Sequence, residues 1–184
     1  PSSGAFLLAP IHRSNIDTPL AAYVSSRRLR FMGKDSIWKF APIGWVLSAL
    51  GAFPVTRGSA DREALKRCIA VLEAGEPLVL FPEGTRQSGP IVQPLFDGAA
   101  YVAVKAGVPI IPVGIGGSER VMPKGSKMIY PRKCVLVVGE PIIAAMDETG
   151  RVPRSAVKDV TSRLYEDLQR LFDEAQRLAG TPNG

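Results

Sequence analysis

Three short, wholly apolar runs constrain the fold most: AFLLAP at 5–10, PLVLF at 77–81 and PIIPVGI at 109–115. Each is of strand length, lacks polar alternation and gives way to a polar loop, as a buried strand does. Helical patterns lie between them. Residues 60–74 place Ala64, Cys68 (or Leu65), Val71 and Leu72 on one face, and Gly75 stops the pattern. GAAYVAVKAG at 98–107 reads as a second helix with a glycine stop, and Asp17 reads as the N-cap of a helix through TPLAAYVSS. The longest helix covers 155–178, where Val157, Val160, Leu164, Leu168, Leu171, Phe172, Ala175 and Leu178 recur at helical spacing. LRFMG at 29–33, AFPV at 52–55 and KCVLVVG at 133–139 complete the strands, and the tail GTPNG reads as frayed. Strands alternating with helices predict an α/β fold: one domain over 1–184, with a central mixed, partly parallel sheet flanked by helices.

Charge is unevenly placed along this frame. The net charge is +6, and residues 1–60 carry 7 Lys/Arg against Asp17 and Asp35, while 61–184 carry 16 basic and 15 acidic side chains. The first third is therefore the expected face toward an anionic partner, whether nucleic acid, anionic lipid or phosphorylated metabolite. Two distant cysteines, Cys68 and Cys134, fit no metal spacing, and a single histidine excludes a His-rich zinc site. No apolar run reaches the length of a membrane-spanning helix. The chain starts a few residues before its first strand with neither Met nor signal peptide, so an upstream segment, able to serve as a membrane anchor, is expected. Residues 37–50, IWKFAPIGWVLSAL, read either as a pair of short core helices or as an interfacial segment. In the second reading Trp38, Phe40 and Trp45 meet lipid or acyl chain.

Polar chemistry gathers where strands end. His12-Arg13-Ser14-Asn15-Ile16-Asp17 follows the first strand, the position where open α/β sheets bind ligands. An aspartate bonded to one imidazole nitrogen fixes the tautomer and leaves the other nitrogen as a base. Gly51-Ala52-Phe53-Pro54-Val55-Thr56-Arg57-Gly58 ends a strand with an arginine whose planar fork suits phosphate oxygens. Phe81-Pro82-Glu83-Gly84-Thr85-Arg86 follows a third strand. There Arg86 and the Thr85 hydroxyl are phosphate donors, Gly84 admits a close backbone approach, and Glu83 is placed to hold Arg86 or a ligand hydroxyl. Val108 to Gly114 is a buried strand wall without polar chemistry.

These four blocks, in this order, resemble the glycerophospholipid acyltransferase superfamily, and within it the bacterial lysophosphatidate acyltransferases. H-x-x-x-x-D falls at His12 to Asp17, G-x-F-P-V-x-R at Gly51 to Arg57, F-P-E-G-T-R at Phe81 to Arg86, and V-P-I-x-P-V at Val108 to Val113. The resemblance covers about residues 5–142, leaving the helix at 155–178 outside the motif-bearing core. It implies acyl transfer from acyl-CoA or acyl carrier protein to a lysophospholipid hydroxyl, most often lysophosphatidate to phosphatidate. It also implies His12 as general base, Asp17 as its orienter, and Arg57, Glu83, Gly84, Thr85, Arg86 and Lys34 at the acceptor phosphate. No metal or cofactor is expected, and the thioester is a co-substrate. The expected place of action is the cytoplasmic face of a membrane, on anionic lipid, peripherally or through the upstream segment. The chain departs from the family pattern at Ile11 (commonly Asn), at Gln87 (usually Ser) and at Leu95-Phe96-Asp97-Gly98 (often Phe-Lys-x-Gly), where Asp97 brings negative charge.

Other readings are a different lipid acceptor, a lipid or thioester hydrolase, and a non-catalytic binder of anionic lipid or nucleic acid. The hydrolase lacks a G-x-S-x-G elbow. The nucleic-acid binder lacks a basic helix or RNA-binding aromatic motif, so nucleic acid is not an expected partner. The second block yields a direct test. Arg57→Ala is expected to raise KM for a phosphate-bearing lysolipid and spare a neutral one. Equal losses on both acceptors in steady-state assays remove Arg57 from the phosphate site.

Overall fold

A computed structural model describes residues 3–34, 41–42, 45, 48, 51–55, 62–123, 125–126, 128–143, 146 and 150–182; at 34, 54 and 55 it describes the backbone alone. The strands are β1 (Leu7–Pro10), β2 (Arg30–Lys34), β3 (Ala52–Val55), β4 (Leu78–Val79), β5 (Ile110–Gly116) and β6 (Val135–Val138). The helices are α1 (Asp17–Ala22), α2 (Arg62–Glu73), α3 (Gly98–Ala106), α4 (Ser118–Val121) and α5 (Arg154–Ala179). One sheet takes the order β3-β2-β4-β1-β5-β6. β1 to β5 are parallel, and β6 runs antiparallel to β5. This is the mixed, helix-flanked sheet that the alternation of runs predicts.

The topology reverses at β1. The chain leaves β1 toward β2 on one side, and later crosses from β4 over β1 to β5 on the other. α2 packs on β4, α3 on β1 and α5 on β5 and β6, so these helices cover one face side by side. The β1–α1–β2 connection runs the opposite way, and right-handed crossovers send α1 to the other face. All five parallel strands end on one edge, and the reversal opens a crevice there beside β1.

α5 seats directly on the backbone of β5. A Cβ added to Gly114 would lie 2.2 Å from the Leu171 carbonyl oxygen, and one added to Gly116 would lie 2.2 Å from that of Ala175. The repeat has a simple cause. Two strand residues advance about 6.6 Å and four helix residues about 6 Å, so a helix lying along the strand meets it at matching intervals. β5 is buried along its whole length, as are Val157, Val160, Leu164, Leu168, Leu171, Phe172 and Ala175 of α5. Leu178 departs from its predicted role at 41% exposure. Gln176 and Ala179 are buried in the last turn instead.

Gln176 explains that exchange. Its Oε1 accepts the Gly117 N–H at 2.8 Å and the Thr181 hydroxyl at 2.7 Å, and its Nε2 donates to Glu119 Oε1 at 2.7 Å. The amide thereby ties the end of α5 to the turn after β5, and the tail predicted to fray is fixed as far as Thr181. Both cysteines are free. Burial pushes the Cys68 thiol up to about 12, and Cys134 is raised by burial and by the charges of Asp17 and Glu119. Neither is a ready thiolate.

The helix seat gives a stability prediction. Gly116→Ala is expected to cost at least about 3 kcal/mol, the upper range of overpacking, because backbone meets backbone and no side chain can turn away. Urea unfolding measures it, and a variant as stable as the parent shows that α5 is not seated on β5.

Candidate active site

Two loops meet at the crevice, one after β1 and one after β4. His12 leads the first. Its Nδ1 lies 3.1 Å from Asp17 Oδ2. A carboxylate oxygen only accepts, so the imidazole proton sits on Nδ1 and Nε2 carries the lone pair. The ring stacks on Phe81 at a centroid distance of 4.1 Å, and its side chain keeps 14% exposure. It is fixed in orientation yet open at one edge.

Asp17 is fully buried. Its Oδ2 also accepts the backbone N–H groups of Arg13 and Ser14, both at 2.6 Å. This corrects its expected local role. Asp17 is the first residue of α1, the N-cap position is Ile16, and no side chain caps the helix. The carboxylate bends back to the loop before it, because the loop supplies three donors to a group that has left water. Asp17 thus shapes the loop and orients the His12 ring together.

Glu83 performs the corresponding task for the second loop. It is 1% exposed. Its oxygens take Arg13 Nη1 at 2.9 and 2.8 Å, the His12 N–H at 3.0 Å and the Gln93 N–H at 3.0 Å. The partner of Glu83 is therefore Arg13 and not Arg86. These contacts make Glu83 a holder of the His12 loop. Arg13 also reaches the Ile91 carbonyl at 3.2 Å, and its guanidinium lies 4.9 Å from the Phe172 ring centre. Sequence reasoning passed over Arg13, although its place directly after the histidine was a signal.

The carbonyl of His12 accepts the Gln87 N–H at 2.8 Å, which brings the 83–87 loop against His12. Gly84 there has φ +71°, a backbone conformation that favours glycine, and a Cβ would meet the edge of the Phe96 ring at 2.8 Å. Thr85 is exposed, and Arg86 is half-buried. Arg86 has no hydrogen bond or ion pair among the described residues. A cavity of about 560 Å³ flanks Arg13, bounded by Gln87, Ser88, Glu119, Phe172 and Gln176, and its size is that of a small-molecule site.

The remaining expected residues divide. Lys34 and Val55 pair at the ends of β2 and β3 on the crevice edge; the Lys34 side chain, Arg57, Trp38 and Phe40 lie outside the described residues. Trp45 is 75% exposed. Asp97 accepts the Thr161 hydroxyl of α5 at 2.9 Å. Among the described residues no helix is long and apolar enough to cross a membrane.

Breaking one side of the buried pair is the sharpest test of this geometry. Arg13→Met is expected to destabilise the fold by about 3 kcal/mol, because it strands the Glu83 charge. Arg13→Met combined with Glu83→Leu is expected to recover much of that loss. Thermal melts measure the cycle, and additive losses refute the pairing.

Comparison with known proteins follows the same lines. The family model for acyltransferases matches residues 1–116. The chloroplastic 1-acyl-sn-glycerol-3-phosphate acyltransferase of Brassica napus is 34% identical over 111 residues, 59% of this chain and 32% of the plant protein. This chain thus spans about a third of that relative. The 1-acyl-sn-glycerol-3-phosphate acyltransferase of Bacillus subtilis is 29% identical over 179 residues, 97% of this chain and 86% of the relative. The crystal structure of the 1-acyl-sn-glycerophosphate acyltransferase of Thermotoga maritima aligns with a TM-score of 0.77 and 27% identity, over 95% of this chain and 67% of that one.

Proposed function

The chain belongs to the acyltransferase family, and from that premise we propose that it moves a fatty acyl group from a thioester to the free hydroxyl of a lysophospholipid. The acceptor is 1-acylglycerol 3-phosphate, the substrate named in the relatives from Brassica and Bacillus. One domain over 1–184 carries this activity. The observation behind the reading is His12, its Nδ1 held by Asp17 and its Nε2 left as a base, with the 83–87 loop bonded to its own carbonyl.

The reaction needs little more. A thioester is already activated, so no covalent intermediate on the protein is required. His12 Nε2 takes the acceptor hydroxyl proton as that oxygen attacks the thioester carbonyl, and the proton then passes to the departing thiolate. A positioned base of this kind contributes about 100- to 10,000-fold. Asp17 orients the ring and stabilises its cationic form. Thr85, Arg86, Arg57 and Lys34 hold the acceptor phosphate at Gly84, where the backbone comes close, and Glu83 supports that loop from behind. The donor is acyl-CoA or acyl carrier protein. No metal step is invoked. The protein acts on an anionic membrane at the cytoplasmic face, and the segment bearing Trp38, Phe40 and Trp45 contributes contact with lipid.

Serine chemistry is the rival, and one contact weighs against it. Ser14, the serine of the catalytic loop, is buried and donates its hydroxyl to the Met122 carbonyl at 2.8 Å, away from His12. The decisive assay supplies labelled palmitoyl-CoA with a panel of lysolipids and identifies products by mass. His12→Ala is expected to lower kcat for phosphatidate formation by at least about 100-fold. Transfer surviving within a few-fold removes His12 as the base, and free fatty acid formed equally with and without acceptor makes the protein a hydrolase.

A further inference from the structure

The loop between α4 and β6 is unlike the other connections. Residues 120–133, RVMPKGSKMIYPRK, hold five cations and no acid. Met128 is 65% exposed, Ile129 68% and Tyr130 40%, three consecutive apolar side chains facing solvent. Arg120, Arg132 and Lys133 beside them are exposed as well. Scattered apolar residues are normal on a surface, but a contiguous run edged by cations marks an interaction site.

The loop holds its shape through its own bonds. Tyr130 N–H donates to the Val121 carbonyl at 2.8 Å and Ser126 N–H to that of Pro123 at 2.9 Å, and Met128 N–H donates to Ser126 Oγ at 3.0 Å. These bonds hold the backbone at Ser126, Met128 and Tyr130, so the outward apolar side chains stand on a fixed turn. Its place is equally defined. β5 and β1 are parallel, so the chain emerging from β5 leaves the sheet on the edge that carries His12. The Ser14 hydroxyl, on the catalytic loop, bonds to the Met122 carbonyl at the root of this loop.

We propose that the 120–133 loop is a docking surface for anionic lipid, entering the headgroup layer with Met128, Ile129 and Tyr130 while Arg120, Arg132 and Lys133 meet lipid phosphates. Charge selects the partner. A purely apolar patch suits another protein as well, whereas a cation-only rim suits a surface of uniform negative charge. Tyrosine sits at headgroup depth. The contact lies next to the crevice, so docking presents the catalytic edge to the lipid layer that supplies the acceptor. That consequence rests on the lysolipid acyltransferase reading; the docking itself does not.

Vesicle flotation tests it with lipid that contains neither lysolipid nor thioester, so binding and acyl transfer fail separately. The full chain is mixed with vesicles of phosphatidylcholine alone or of phosphatidylcholine with phosphatidylglycerol. The parent is expected to float with the anionic vesicles only, and to be released by salt. Arg132→Gln with Lys133→Gln is expected to weaken this binding about 30-fold, at about 1 kcal/mol per surface cation. Met128→Ser with Ile129→Ser is expected to weaken it at least about tenfold, while the thermal midpoint stays within a degree or two because the side chains are exposed. Parent-like flotation of both double variants overturns the proposal, as does equal binding of the parent to neutral vesicles. It is also overturned if the parent is a dimer that the Met128/Ile129 variant makes monomeric with lipid binding intact, since the face then joins two copies of this chain.

Discussion

A carboxylate taken out of water draws protein donors to itself, and the crevice is organised around two that do so. Glu83 collects donors from Arg13, His12 and Gln93. Asp17 collects them from His12, Arg13 and Ser14. Arg13 belongs to both sets, through its backbone to one carboxylate and its guanidinium to the other. The loops after β1 and β4 are adjacent because their strands pair, but strand pairing alone leaves loop ends free. The two carboxylates remove that freedom. A buried ion pair adds little net stability; its value here is geometric, since it fixes where His12 stands relative to residues 84–87.

The broad fold was legible because its signals are local. β1 and β5 announce themselves as uninterrupted apolar runs, and α5 by a stripe that the structure buries almost throughout. The errors have physical causes too. β4 is ordered as a ladder only at Leu78–Val79, although its backbone bonds to β1 extend through Leu80. α4 is a single turn whose pattern is too short to read. Leu178 fits the helical stripe, but the stripe runs past the end of the sheet, where the Gln176 amide has more to satisfy than a leucine has to bury.

The site was legible in part for a different reason. Motif spacing picks out residue types, and it put His12, Asp17 and residues 83–86 in one crevice, where the structure also places them. It does not say which charge pairs with which. Glu83 and Arg86 are near in sequence and invite pairing, yet Glu83 takes Arg13, 70 residues away. An arginine in a polar loop reads as exposed, and only strand order shows that this loop closes over the end of β4. The same order explains the glycines of β5, which in sequence are mere weak points in a strand and in space are the seat of α5.

One consequence links this seat to the chemistry. α5 carries Phe172, on which the Arg13 guanidinium rests, and Gln176, which ties down the turn after β5. Both contacts lie within one turn of the points where Leu171 and Ala175 meet the glycines. The helix is therefore held against the sheet at the level where it also supports the His12 loop from behind. A shift of α5 by the width of one methyl group would move Phe172 away from Arg13, and Arg13 would draw Glu83 and the His12 N–H with it. The last helix lies outside the motif-bearing stretch, yet the position of His12 depends on it.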